Sequence, residues 1–150
     1  DWQLDLAVLE PPAGATQEEA EDFLPEPPLV IGDEARLRQV VVNLLANARV
    51  HTPAGSHVTT TLMREGDTLI VRIHDDGPGI APDVRDRLFE RFARGDSSRE
   101  RRTGSTGLGM SIALAIVQSH GGSIDVDSST ASEDHGTTFT VRLPAAVVEE

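Results

Sequence analysis

Two hydrophobic periods run along the chain, one typical of strands and the other typical of helices. Alternating apolar and polar positions predict strands at residues 2–8, 57–64, 68–74, 123–127 and 137–143. Apolar residues at three- and four-residue steps predict helices at residues 34–51, 82–92 and 107–119. Asp33 is a favourable N-cap for the first helix, and Pro82 is a favourable first residue for the second. These elements predict one α/β domain in 150 residues.

Three segments lack such a pattern. Residues 11–28 are rich in proline and acidic side chains, which predicts an extended insertion outside a core of about residues 30–144. Residues 93–106 carry Gly, Ser, Thr and Arg without apolar periodicity, as expected either of a mobile cover over a ligand or of a disordered segment without function. Residues 145–150 follow a proline and are expected to fray.

Charge and composition narrow the function classes. The net charge of −12 argues against nucleic-acid binding, which depends on many basic side chains. All 13 basic residues are arginine, and seven of them fall within residues 85–102, which either face the phosphates of a ligand or form a solvated charged loop. No cysteine is present, so zinc-thiolate and thiol chemistry are excluded. No apolar stretch reaches the ~20 residues of a membrane span, so we expect no direct membrane contact by this segment.

Polar residues at special positions suggest a nucleotide site. Asn43 and Asn47 border the apolar face of the first helix, where their amide oxygens could bind a phosphate-bound Mg²⁺ or simply be satisfied by loop backbone. Asp75 ends a strand and is followed by Gly77 and Gly79; its carboxylate could accept a hydrogen bond from an adenine amine, or the motif could be a turn without a ligand. Glycines over 104–109 would bring N–H groups at a helix start close to phosphates.

In this order, the motifs resemble the catalytic ATP-binding domain of bacterial sensor histidine kinases. The residues that carry the resemblance are 33, 43–48, 75–80, 89–92, 104–109 and 136–139. The resemblance covers roughly residues 30–144, and the lack of lysine favours an actinobacterial member. It implies a Bergerat ATP-binding fold, an α/β two-layer sandwich whose mixed, mainly antiparallel sheet is covered on one face by three helices, with an ATP lid.

The resemblance also implies roles for individual residues. Asn47 would bind Mg²⁺, Asn43 would assist at the metal or phosphates, and Arg94 would contact the γ-phosphate. The implied contacts to the base and the phosphates are made by Asp75, Gly77, Gly79, Ile80, Thr106, Gly107, Leu108, Gly109 and Thr137. His51 either stacks on adenine or caps the helix and faces water.

Two departures from the family pattern bear on these roles. Arg49 stands one place earlier than the basic residue that many members carry after the second asparagine, which weakens the case for a phosphate contact there. Ser105 stands where a glycine is usual, and its small side chain could be tolerated.

The implied activity is transfer of the γ-phosphate of Mg·ATP to a histidine on a separate dimerisation and phosphoacceptor domain. None of the five histidines of the chain lies in the sequence context of such an acceptor. The resemblance implies a cognate response regulator as a further partner, and a cytoplasmic location within a membrane-anchored kinase. Two alternatives remain: a related ATP hydrolase, which would carry a glutamate base where Asn43 stands, and a nucleotide-binding module without transfer activity.

Overall fold

The computed structural model describes residues 3–4, 16–17, 28–86 and 107–147. Their elements are β1 Gln3–Leu4, α1 Glu34–His51, β2 Val58–Glu65, β3 Thr68–Asp75, α2 Gly107–Ser119, β4 Ser123–Ser129 and β5 Gly136–Pro144. Residues 82–86 are also helical. The observed bounds agree with the predicted elements to within two residues wherever both ends are described.

The strands form one sheet in the order β1-β2-β3-β5-β4. The short β1 runs parallel to β2, and the other three pairs are antiparallel. The β2–β3 connection turns at Gly66, whose φ of 56° lies in the left-handed region that glycine adopts without strain. The prediction of a mixed, mainly antiparallel sheet is therefore confirmed.

Helices α1 and α2 cover the same face of the sheet. Side chains on that face alternate with outward-facing ones along each strand, as the pleat requires. The buried core contains Val40, Leu44, Ala48, Val58, Leu69, Ile73, Met110, Ala113, Ile116, Val117, Ile124, Phe139, Val141 and Leu143. Two of the three predicted helices are thus seen on one face. Of the third, predicted at 82–92, residues 82–86 are helical and the rest lies outside the described residues.

Local contacts determine where α1 begins and ends. The Asp33 carboxylate accepts a hydrogen bond from the main-chain N–H of Arg36 at 3.1 Å, as an N-cap does. The same residue donates its own N–H to His120 Nε2 at 3.1 Å, which joins the start of α1 to the end of α2. At the other end, the Thr52 hydroxyl donates to the Ala48 carbonyl at 2.8 Å. The two helices are therefore held in a defined relative position.

The predicted frayed tail needs a correction at its first residues. Ala145 donates its N–H to the Asp67 carbonyl at 2.8 Å, and Ala146 donates to the Leu29 carbonyl at 2.7 Å. These hydrogen bonds hold the first two residues after β5 in place, because the β2–β3 turn and the segment before α1 supply main-chain carbonyl acceptors there. Residues 148–150, the lid at 93–106 and most of the insertion at 11–28 lie outside the described residues. Within the described part of the chain, neither helix is both long and apolar enough to cross a bilayer.

Candidate nucleotide-binding site

Three polar side chains form a row at one end of the helix-covered face of the sheet. Asp75 is directly opposite Thr137 on β5, and Thr137 is opposite Ser128 on β4. Asp75 is 6% exposed and Thr137 is 5% exposed. Because facing residues on antiparallel strands lie about 5 Å apart, the row forms one continuous polar edge of the core.

Burial determines the electrostatics of Asp75. Loss of hydration raises the pKa of its carboxyl above the ordinary value of 3.8, and the main-chain N–H groups of Gly77 and Thr137 and the nearby His74 oppose part of that rise. Asp75 Oδ1 accepts the Gly77 N–H at 3.0 Å, which fixes the orientation of the carboxyl group. A carboxylate held in this way can accept a further hydrogen bond from an amine of a ligand.

Contacts within the protein require the glycines after Asp75. A Cβ on Gly77 would lie 2.8 Å from Asp75 Oδ1 and 2.8 Å from Thr52 Cγ2. Gly79 has φ of 77°, and a Cβ there would collide with the main chain of Ser129. The loop from Gly77 to Ile80, here called the glycine loop, is therefore packed between the end of α1 and the β4–β5 hairpin.

The two helices meet through the first predicted asparagine. Asn43 Nδ2 donates to the Gly109 carbonyl at 3.0 Å, within the first turn of α2. This bond uses the nitrogen of the amide, so the oxygen is the atom that Asn43 can offer to a cation. Asn47, one turn further along α1, is 8% exposed and belongs to the buried side of the helix. The structure thus brings Asn43 against the first turn of α2, which contains Gly107 and Gly109.

The remaining predicted residues are placed as follows. His51 is the last residue of α1 and is exposed. Ile80 donates its N–H to Ser128 Oγ at 2.7 Å. Gly107 begins α2, where N–H groups without intrahelical partners favour anions. Arg94 and Thr106 lie outside the described residues, as does the side chain of Leu108.

Several polar residues beside the glycine loop were missed in the sequence. Ser128 contacts Ile80, and His135 Nδ1 lies 2.6 Å from the Gly77 carbonyl. Asp76 accepts from the His57 main-chain N–H at 2.6 Å and pairs with His57 Nδ1 at 3.0 Å. Those hydrogen bonds lower the pKa of the Asp76 carboxyl. A cleft of about 540 Å³ lies beside this part of the loop, lined by residues 53–57, 76–78, 130 and 135.

One signal in the sequence could have revealed Ser128. The predicted strand ended at Asp127, whereas β4 continues to Ser129. Two further residues of alternation would have placed Ser128 on the same face as Ile124 and Val126, and a polar residue at an inward position near a strand end indicates a site. His135 gives no such signal, because it lies in a hairpin connection.

Comparison with known proteins agrees with this geometry. The model of the family described as histidine kinase-, DNA gyrase B- and HSP90-like ATPase matches residues 32–147. The probable sensor histidine kinase TcrY of Mycobacterium tuberculosis is 51% identical over 132 residues, which is 88% of this chain and 27% of TcrY. This chain spans only about a quarter of the length of such curated relatives.

Solved structures show the same fold. The mycobacterial sensor histidine kinase MprB is 36% identical with a TM-score of 0.63, over 77% of this chain and 74% of that one. Full-length ShkA, solved in complex with AMPPNP, is 29% identical with a TM-score of 0.67, over 99% of this chain and 27% of ShkA. The chain therefore belongs to the histidine kinase-, DNA gyrase B- and HSP90-like ATPase family, as a homologue of the catalytic domain of sensor histidine kinases.

Proposed function

We propose that this domain binds Mg·ATP and transfers its γ-phosphate to a histidine on a separate dimerisation and phosphoacceptor domain of the same kinase. The observation that carries the proposal is the hydrogen bond from Asn43 to the Gly109 carbonyl, because it places an amide of α1 beside the glycine-rich start of α2. An amide oxygen suits a cation and a helix start suits a phosphate, so the two together suit a metal-bound triphosphate.

The donor set fits Mg²⁺ held jointly by protein and nucleotide. No group of three or more His, Cys, Asp or Glu side chains is arranged to hold a metal within the residues described. Mg²⁺ commonly keeps several waters and takes one or two protein oxygens together with substrate phosphates. Asn47 would supply such an oxygen and Asn43 would assist. Once bound, Mg²⁺ would neutralise charge on the phosphates.

The base would lie at the polar row of the sheet. Asp75 would accept a hydrogen bond from the adenine amine, and Thr137 would border the base. Gly77, Gly79 and Ile80 would contribute main chain beside it. The buried position of Asp75 supports this role, since a hydrogen bond made away from water discriminates strongly between bases that can and cannot donate. His51 would stack on the base from the end of α1 or remain in solvent.

The phosphates would lie at the start of α2. Gly107 and Gly109 belong to its first turn, where the helix dipole and main-chain N–H groups favour negative charge. Thr106 and Leu108 would contribute main chain there, and Arg94 would neutralise the γ-phosphate from the lid. These chain groups act by positioning and by electrostatic stabilisation, which account for most of the catalysis of phosphoryl transfer.

The acceptor histidine would lie on another segment of the full protein. Histidines of this chain make contacts within the domain: His57 with Asp76, His74 with Thr138, His120 with Asp33, and His135 with Gly77. His51 is the last residue of α1 and so also belongs to the fold of this domain. The domain would also serve a cognate response regulator through that acceptor, in a cytoplasmic position within a membrane-anchored kinase.

Asn43 also distinguishes transfer from hydrolysis. A neutral amide cannot take a proton from water as a carboxylate base can. In addition, its nitrogen is already engaged with Gly109. We therefore expect this domain to hydrolyse ATP poorly and to deliver its phosphate to a strong nucleophile.

The test follows the terminal phosphate of γ-labelled ATP in a mixture of this chain, Mg²⁺ and the upstream segment of its own gene. Acid-labile, base-stable label on that segment is the expected result. Asp75→Asn should abolish it, whereas Asp127→Asn, an equivalent change at an exposed position of β4, should not. Release of free phosphate would favour a hydrolase, and bound but unchanged ATP would favour a binding module.

A further inference from the structure

Two side chains of the β4–β5 hairpin, neither of which has a role in the proposed function, contact the glycine loop. Ile80 donates its N–H to Ser128 Oγ at 2.7 Å, and His135 Nδ1 lies 2.6 Å from the Gly77 carbonyl. Between these two contacts, the main chain of Ser129 lies against Gly79 so closely that no Cβ fits. Both ends of the loop are therefore attached to the hairpin.

The direction of the Ser128 hydrogen bonds follows from their partners. Ser128 Oγ lies 3.0 Å from the Gly136 carbonyl and 2.8 Å from Thr137 Oγ1. A carbonyl can only accept, so the single hydroxyl proton of Ser128 goes to Gly136. The bond to Thr137 must then be donated by Thr137, whose oxygen keeps only acceptor capacity for a ligand. Ser128 therefore orients the hydroxyl of its neighbour in the polar row.

A base next to this row would meet two acceptors. Asp75 accepts through its carboxylate, and Thr137 accepts through an oxygen whose proton is committed to Ser128. An exocyclic amine can donate to both, whereas the carbonyl oxygen that guanine carries at the same position can donate to neither. The arrangement favours adenine over guanine.

His135 acts on the other end of the loop. Since the Gly77 carbonyl can only accept, His135 Nδ1 carries the proton that it donates. Gly77 is the residue whose own N–H orients the Asp75 carboxylate. The imidazole therefore supports the main chain that determines the position of Asp75, although it does not touch Asp75 itself.

From this geometry we propose that Ser128 and His135 are positioning residues of the nucleotide site, and that Ser128 in addition determines its preference for adenine. This inference rests on the proposed function. Without these contacts the loop would spend less time in the binding-competent shape, and the apparent affinity falls in proportion to that fraction. Loss of one hydrogen bond of ordinary strength corresponds to a roughly fivefold change.

The experiment measures the affinity of this chain for Mg·ATP and for Mg·GTP by calorimetry. Ser128→Ala should bind Mg·ATP roughly fivefold or more weakly and show a smaller ratio of ATP to GTP affinity. Ser129→Ala is the matched control: it removes the hydroxyl that accepts from Ala131 N in the hairpin turn but keeps the main chain that lies against Gly79, so both affinities should be unchanged. His135→Ala should also weaken ATP binding, and His135→Asn, which keeps a donor near Nδ1, should restore it.

The outcomes separate the two proposals. The inference is wrong, and the proposed function stands, if the wild-type chain binds Mg·ATP and two further results are found. These are equal nucleotide affinities for Ser128→Ala and Ser129→Ala, and an ATP affinity of His135→Asn no higher than that of His135→Ala. If the wild-type chain does not bind Mg·ATP, the proposed function is wrong and the inference is wrong with it. Should Ser128→Ala not fold, the comparison of the two His135 variants decides, since rescue by an amide donor is not expected of a residue that only fills space.

Discussion

Replacing Gly79 by alanine should destabilise the domain because two independent constraints act at that position. Its φ of 77° is in the left-handed region, where a side chain is strained. An added Cβ would lie 2.7 Å from the Ser129 carbonyl carbon and closer still to its oxygen. These are main-chain atoms of the β4–β5 hairpin, so rotation of a side chain cannot relieve the collision.

The expected cost can be built from the two constraints. The left-handed conformation costs an alanine about 1–2 kcal/mol relative to glycine. Relief of the collision requires the glycine loop and the hairpin to separate, which would break the bond between Ile80 and Ser128 and leave partly buried groups unpaired, at about 1–3 kcal/mol. The sum, about 2–5 kcal/mol, is a large part of the 5–15 kcal/mol typical of a domain.

A second glycine separates the two contributions. Gly66, in the β2–β3 turn, also has positive φ, at 56°, but a Cβ there would have no neighbour within 4 Å. Gly66→Ala should therefore show only the conformational cost. We would measure the free energy of unfolding of both variants in urea by far-ultraviolet circular dichroism. Equal losses for the two variants would refute the reasoning, because the contact with Ser129 would then contribute nothing.

Three further predictions follow from burial and charge. Because burial raises the pKa of Asp75, the folded state favours the neutral carboxyl, whose contribution to stability is complete below pH 3.8 and is lost as pH rises through the folded pKa. Asp75→Asn should therefore match or exceed the stability of the wild type in urea unfolding at neutral pH. A large loss of stability in this variant would contradict this account. The pKa of Asp76 is lowered, so the pH dependence is reversed: the stability from its pairing with His57 is present above pH 3.8 and is lost as pH falls through the folded pKa. The loss of unfolding free energy in Asp76→Asn should therefore become smaller in acid. A loss that does not depend on pH would rule out the carboxylate charge as its source. Leu44→Ala should lower the free energy of unfolding by about 2–5 kcal/mol because Leu44 is 0% exposed. Val42 is 55% exposed on the same helix, so Val42→Ala should change this free energy by about 0.5 kcal/mol or less. Similar values for the two variants would contradict the assigned core.

The elements and the family motifs could be predicted because their signals are local. The N-cap at Asp33 and the apolar spacing that follows it depend on neighbours within one or two turns of helix. Alternation along β3 likewise placed Asp75 at a strand end. The order of the asparagine and glycine motifs was sufficient to identify the family.

Contacts between distant segments could not be predicted. His120 and Asp33 are 87 positions apart, and Asn43 and Gly109 are 66 apart, yet each pair is hydrogen-bonded. The tail was expected to fray after Pro144, but Ala146 is held by Leu29, a residue far away in sequence. Nothing in the local pattern of either segment indicates its partner.

Side-chain periodicity and motif order are properties of the chain, so they were sufficient to predict the described secondary structure, the inward face of each long element and the family. The fold was needed to reveal the register that lines up Asp75, Thr137 and Ser128, the attachment of the glycine loop to the β4–β5 hairpin, and the burial that raises the pKa of Asp75. Hydrogen-bond direction and desolvation depend on which distant groups share one small volume, and the folded chain alone specifies those groups.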